Sequence, residues 1–115
     1  MSSGYNERKE LPAAVEDLHR ALASLQEELE AVDYYNQRAA VTGDADLKAV
    51  LEHNRNEEVE HASMLLEWLR RRAPQFDAAL KTYLFSQAPI TAIEQAGGGG
   101  AAAEGRGDLG IGKNA

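Results

Sequence analysis

Leu18, Leu22, Leu25, Leu29 and Val32 recur at steps of four and three, the spacing that lines one face of an α-helix with apolar side chains. The pattern predicts a long helix that opens near Pro12, where a missing N–H costs nothing in the first turn, and runs to about Arg38. Thr42-Gly43-Asp44 reads as a turn, and Asp44 or Asp46 is placed to cap a second helix. That helix carries Leu47, Val50, Leu51, Leu65, Trp68 and Leu69 and closes on Arg70-Arg71-Arg72, cations suited to the negative end of the helix dipole. Pro74 breaks it. Phe76, Leu80, Tyr83 and Leu84 share one side of a shorter helix, and Pro89 opens a last stretch through Ile90 and Ile93. From Gly97 to Gly107 glycine and alanine dominate, a flexible linker composition. Asp108-Leu109-Gly110-Ile111-Gly112-Lys113 then sets paired aliphatics behind that linker, more like a tethered docking peptide than a frayed end.

The expected fold class is therefore all-α: an antiparallel two-helix hairpin plus a short C-terminal helix within residues 1–95, a linker over 96–107 and a terminal peptide over 108–115. A hairpin of this kind buries little apolar area, so self-association is expected before any motif is considered. At 115 residues there is room for one domain, and 43% hydrophobic with 27% charged residues marks a globular body rather than a disordered one. Cysteine is absent, which removes disulfides and thiolate metal sites and is compatible with a reducing cytosol. A net charge of −7 argues against nucleic acid as a partner, because phosphates would be repelled, and it suits cations. No apolar run is long enough for a bilayer, so no membrane role is expected, and Met1 to Glu10 lacks the apolar middle of a signal peptide.

Advancing each residue by about 100° brings Leu51, Leu65 and Leu69 within about 40° of Leu47, and Glu58 and His61 fall on the same line. A carboxylate and an imidazole three residues apart thus interrupt a leucine stripe. Charge on a buried face costs several kcal/mol unless it is paired or bound to metal, and Glu-x-x-His is the spacing by which one helix offers two ligands to one ion. Alone, Glu58 would read as one more surface glutamate beside Glu57 and Glu60, and His61 as a core histidine satisfied by a carboxylate. Together, at this spacing on the apolar face, they favour metal.

On the first helix Glu28 lies at the edge of the leucine stripe, with Tyr35 seven residues later on the same edge. Glu27, Glu30 and Tyr34 group on the opposite side, as solvated charge or as a secondary cation site. His53 and Glu57, at i and i+4, flank the Glu58–His61 pair, and His19 has no partner at metal spacing. A ferritin-like di-metal carboxylate site takes one glutamate from each of two helices and Glu-x-x-His from each of two more. One inward glutamate and one Glu-x-x-His make half of that set. Two hairpins about a twofold axis would complete a four-helix bundle and the site together. Carboxylate and imidazole ligands favour iron or manganese, with zinc left open.

Leu25 to Arg38 (Leu-Gln-Glu-Glu-Leu-Glu-Ala-Val-Asp-Tyr-Tyr-Asn-Gln-Arg) and His53 to Arg71 (opening His-Asn-Arg-Asn-Glu-Glu-Val-Glu-His-Ala) closely resemble the encapsulated ferritins. Thr82-Tyr83-Leu84-Phe85 and Pro89-Ile90-Thr91 continue the likeness, and Asp108 to Gly112 resembles the peptide that directs such cargo into an encapsulin shell. The resemblance implies an annular decamer of five dimers with an iron-oxidising di-iron centre at a dimer interface, inside a cytoplasmic encapsulin nanocompartment. By position it implies Glu28, Glu58 and His61 as iron ligands with Tyr35 close by. It further implies an outer site for a divalent cation (Ca2+, Zn2+ or Mn2+) at Glu27 and Glu30, and His53 and Glu57 near the route inward. Tyr34 departs from the tryptophan expected there. The expected activity is iron(II) oxidation that loads the surrounding compartment. Two alternatives stand beside it, a rubrerythrin-like di-metal peroxidase and a non-enzymatic helical dimer in which Glu58 and His61 only pair with each other.

Overall fold

The computed structural model describes residues 10–97. Within them the chain forms four helices and no strand: α1 (Ala13–Val41), α2 (Ala45–Arg72), α3 (Pro74–Tyr83) and α4 (Ile90–Gln95). The all-α expectation is met, with one short helix more than the periodicity predicts. Residues 98–107 of the expected linker and the terminal peptide 108–115 lie outside the described residues. Among the described residues no helix is long and apolar enough to cross a membrane.

The contacts divide the described residues into two compact units, one ending at Trp68 and the other beginning at Leu69. In the first, Pro12 precedes the helix rather than standing in its first turn, and its carbonyl accepts from the N–H groups of Val15 and Glu16 at 3.0 Å each. α1 continues past Arg38 to Val41, and the Thr42 N–H still donates to the Arg38 carbonyl at 3.2 Å. Asp44, not Asp46, caps α2: its Oδ1 accepts the Leu47 N–H at 3.0 Å, a contact typically worth about 1 kcal/mol. Arg55 of α2 reaches Asn36 of α1 at 3.0 Å.

The leucine stripes are less buried than their periodicity predicts. The buried apolar residues of this unit are Ala21, Ala39 and Ala62, while Leu18, Leu25 and Val32 are half-buried and Leu22 and Leu29 are exposed. Leu47 at the start of α2 is 47% exposed. Periodicity reports which face is apolar, but the apolar arc of α1 is wider than one neighbouring helix covers. Val15, Leu22 and Leu29, spaced by seven, form its exposed flank.

In the second unit Leu69 is fully buried and Ala73 nearly so. Arg70 donates to Asp77 Oδ1 at 2.5 Å and Lys81 approaches Oδ2 at 3.2 Å. These two cations, Lys81 foremost, hold the Asp77 carboxyl below its ordinary range. α3 opens on Pro74 and stops at Tyr83. Leu84, expected on the helix, is extended at φ −70° and ψ 142°, and Phe85 follows at φ 62°. The Ser86 N–H and hydroxyl both donate to the Tyr83 carbonyl, at 3.3 and 2.7 Å. Tyr83 to Ser86 is thus a type II turn with phenylalanine where the left-handed position calls for glycine, a substitution costing about 1–2 kcal/mol. α4 starts after Pro89 and gives way to Gly97, whose φ of 81° is open to glycine without strain.

Candidate metal centre

Glu28 on α1 and Glu58 and His61 on α2 converge. The Glu-x-x-His spacing stacks Glu58 and His61 on one side of α2, and Glu28 meets them from across the hairpin. His61 Nδ1 lies 3.1 Å from Glu58 Oε1 and 3.4 Å from Glu28 Oε1. One ligand atom from each residue falls within 4.8 Å of the others. Among the described residues this is the one group of three histidine or carboxylate ligands close enough to hold an ion.

The three groups settle their charge on one another. Glu28 is raised above the ordinary carboxylate range, first by its hydrogen bond with Glu58 and then by desolvation. Glu58 is lowered, foremost by that same bond with Glu28, so of the two carboxylates Glu28 keeps its proton to the higher pH. The bond to Glu58 is also the main cause that raises His61, against an opposing desolvation. A divalent ion bound by bonds of about 2.1 Å draws its ligand atoms to within about 4.2 Å of one another, so these residues fit one with a small contraction. Two carboxylates and an imidazole suit iron, manganese or zinc.

The cluster is open on one side. The side chains of Glu28 and Glu58 keep 26% and 24% of their exposure and His61 keeps 46%. The sequence pattern predicts a buried pair here. The chain covers only part of it, because the leucines above and below are themselves only partly covered. Three ligands from one copy leave room for more from outside.

The other candidate residues have surroundings of their own. Tyr34 donates to Glu30 Oε2 at 3.1 Å on the outer side of α1, and the bond to Glu30 holds the phenol above its ordinary range. Glu27 is exposed nearby in sequence. His53 Nε2 and Glu57 Oε2 are 3.9 Å apart and well exposed. Tyr35 is half-buried. A residue the sequence reading passes over is Arg38, whose guanidinium lies 5.8 Å from the Tyr34 ring centroid and 5.7 Å from that of Tyr35. The i, i+4 and i, i+3 spacing of these three was the available signal.

Residues 3–87 match the EncFtn-like family model. A "Ferritin-like protein" of Thermotoga maritima is 54% identical over 114 residues, covering 98% of this chain and 99% of that one. An "Encapsulated ferritin-like protein" of Rhodospirillum rubrum is 54% identical over 104 residues, covering 82% of this chain and 74% of that one. Among solved structures, a Nitrosomonas europaea protein superposes with a TM-score of 0.73 at 57% identity, covering 76% of this chain and 99% of its own. With a family match across most of its length and relatives above half identity, the chain belongs to the EncFtn-like family.

Proposed function

We propose that this protein is an iron(II) oxidase whose di-iron centre is shared between two copies of the chain. The observation that carries the reading is the open three-ligand cluster of Glu28, Glu58 and His61. Apposed with its twofold mate, it supplies four carboxylates and two imidazoles around two iron(II) ions, the complement of a ferritin-like centre. Iron(II) is the substrate. Each of two ions loses one electron, and dioxygen or peroxide accepts the pair. The residues bind and orient the two ions and hold negative charge beside them, which favours the ferric product. Glu58, the more acidic of the two carboxylates, provides the first fixed charge, and Glu28 and His61, both raised, become better ligands as pH climbs.

Assembly follows from the same thin core. The exposed apolar residues on both long helices, Val15, Leu22 and Leu29 on α1 and Val50, Val59 and Met64 on α2, support association through more than one face and hence a ring, an annular decamer of five dimers. The name of the Rhodospirillum rubrum relative supports delivery of oxidised iron inside an encapsulin shell in the cytoplasm, with residues 108–115 as the docking peptide and 96–107 as its tether. Glu27 and Glu30, with Tyr34 bonded to the latter, serve as an outer divalent-cation site, and His53 and Glu57 flank the route inward, with Tyr35 beside the centre.

The 3.1 Å pairing of His61 with Glu58 is what favours the second reading, a helical dimer without chemistry. Anaerobic titration with iron(II), followed by an oxygen pulse and native mass spectrometry, separates the two. The oxidase reading requires one di-iron centre per pair of chains and ferric absorbance after oxygen. A chain that binds no iron, or an isolated monomer that binds two ions and turns over at full rate, refutes the shared site.

A further inference from the structure

Arg55 is a half-buried cation on α2 with an unexpected choice of partners. Glu52 stands three residues before it and Glu58 three after, the spacing at which Arg20 of α1 takes Asp17 at 2.8 Å. Arg55 pairs with neither. Its Nε and Nη2 donate to Asn56 Oδ1 at 3.2 and 3.1 Å, and Nη1 donates across the hairpin to Asn36 Oδ1 at 3.0 Å. The two bonds to Asn56 fix the plane of the guanidinium, and its rigid fork then aims Nη1 at α1. Glu58 is thereby left free of the guanidinium and keeps its carboxylate for Glu28 and His61.

We propose that Arg55 is a positioning residue that holds α1 and α2 in the axial register at which Glu28 meets Glu58 and His61, a role that rests on reading this cluster as a metal centre. Apolar packing supplies little of that hold. The buried side chains of this unit are alanines, whose shallow ridges resist sliding less than interlocked leucines do. A slip of one residue moves one helix about 1.5 Å along the other, enough to break the 3.4 Å approach of Glu28 to His61. The cluster's own contacts across the hairpin are made and broken as its members trade protons and metal. Arg55 and Asn36 are indifferent to both, since a guanidinium stays charged and an amide does not titrate. The pin also stands close to what it serves. Asn36 lies eight residues, about 12 Å, along α1 from Glu28, and Arg55 three residues, about 4.5 Å, before Glu58 on α2.

The test uses cobalt(II) as the probe on the full chain, with binding followed by calorimetry and by visible absorption, which reports the ligand set. Asn36→Ala and Arg55→Ala are each expected to weaken cobalt(II) binding by about tenfold, what one hydrogen bond to a charged group contributes, with helical circular dichroism unchanged. Because the two residues act as one pair, the double variant should lose no more than either single variant. Asn36→Asp keeps an acceptor oxygen at the same reach and should restore the affinity and spectrum of the parent. A metal-free arm reads the register itself. The chain has no cysteine, so Glu28→Cys with His61→Cys introduces a single pair, and its intramolecular disulfide formation should slow several-fold when Asn36→Ala is added, because that bond tolerates little displacement. Parental affinity in either alanine variant, additive losses in the double variant, or no recovery with Asn36→Asp overturns the proposal, as does an unchanged disulfide rate. A parent chain that binds no cobalt(II) removes the metal centre instead, and the disulfide arm still decides whether Arg55 and Asn36 set the register.

Discussion

Leu69 is the largest side chain that the isolated fold encloses fully, whereas Leu29 is 54% exposed, and truncating each to alanine separates folding from association. Leu69→Ala removes three buried carbons. At about 0.8 kcal/mol per buried methylene the transfer loss is about 2.4 kcal/mol. A residual cavity brings the expected cost to about 3–4 kcal/mol, inside the range for buried leucine. For a domain of this size that lowers the midpoint by roughly 12–30 °C. The same three carbons at Leu29 are about half solvated in one chain, so the loss is about 1 kcal/mol there. It doubles where a second copy covers the residue. Thermal melts followed by circular dichroism, at two protein concentrations a hundredfold apart, read the difference. Leu69→Ala should shift the midpoint by a similar amount at both concentrations. Leu29→Ala should cost little when dilute and more when concentrated, because association stabilises by mass action only when it forms. Equal, concentration-independent losses for the two variants would refute the claim that the α1 stripe is completed by another copy.

Glu58→Ala and His61→Ala should each reduce iron oxidation by tenfold or more (one ligand is lost from both halves of a pair), with helical content retained by circular dichroism; oxidation at the wild-type rate in either variant would remove that residue from the centre. Glu27→Ala with Glu30→Ala should slow iron uptake yet leave single-turnover oxidation in place, as measured by stopped-flow absorbance. Iron(II) affinity should rise with pH. His61 is held above its ordinary value of 6.5, foremost by Glu58, so its pairing stabilises the fold below 6.5 and that contribution fades as pH climbs through the raised value. Iron then takes the proton's place. Anaerobic calorimetry should find weak binding near pH 5 and strong binding above the raised histidine value, and a flat profile would contradict competition between proton and metal at His61. Deleting residues 108–115 should preserve oxidation while abolishing co-purification with a co-expressed encapsulin shell.

The helices and the convergence of Glu28, Glu58 and His61 were legible in the sequence because both follow from spacing. Glu58 and His61 three apart, set among Leu51 and Leu65, carry their own geometry on a helix whatever surrounds them. Glu28 was placed by the edge of its stripe, and the structure brings it to 3.4 Å from His61. What spacing does not encode is cover. Leu22 and Leu29 sit on the stripe as firmly as Leu18, yet they are exposed where Leu18 is half-buried. α4 escaped because six residues are too few for a period to repeat. Phe85 was unreadable for the opposite reason: its turn contradicts the residue preference by which such turns are recognised.

Ala21, Ala39 and Ala62 have a consequence for the cluster of Glu28, Glu58 and His61. Helix axes separate by 8–10 Å according to the side chains trapped between them, and the buried side chains of this unit are single methyl groups. The methyls act as a spacer gauge: they fix how far Glu28 must reach to share a cation with Glu58 and His61. Ala62 adjoins His61 in sequence, so a leucine there would wedge the helices apart at the cluster itself. The chain would remain helical while its carboxylates drew out of range of one another. Tolerance to substitution at these three sites is therefore set by ångströms of ligand reach rather than by hydrophobicity, and metal selectivity is tunable from positions that never touch the ion.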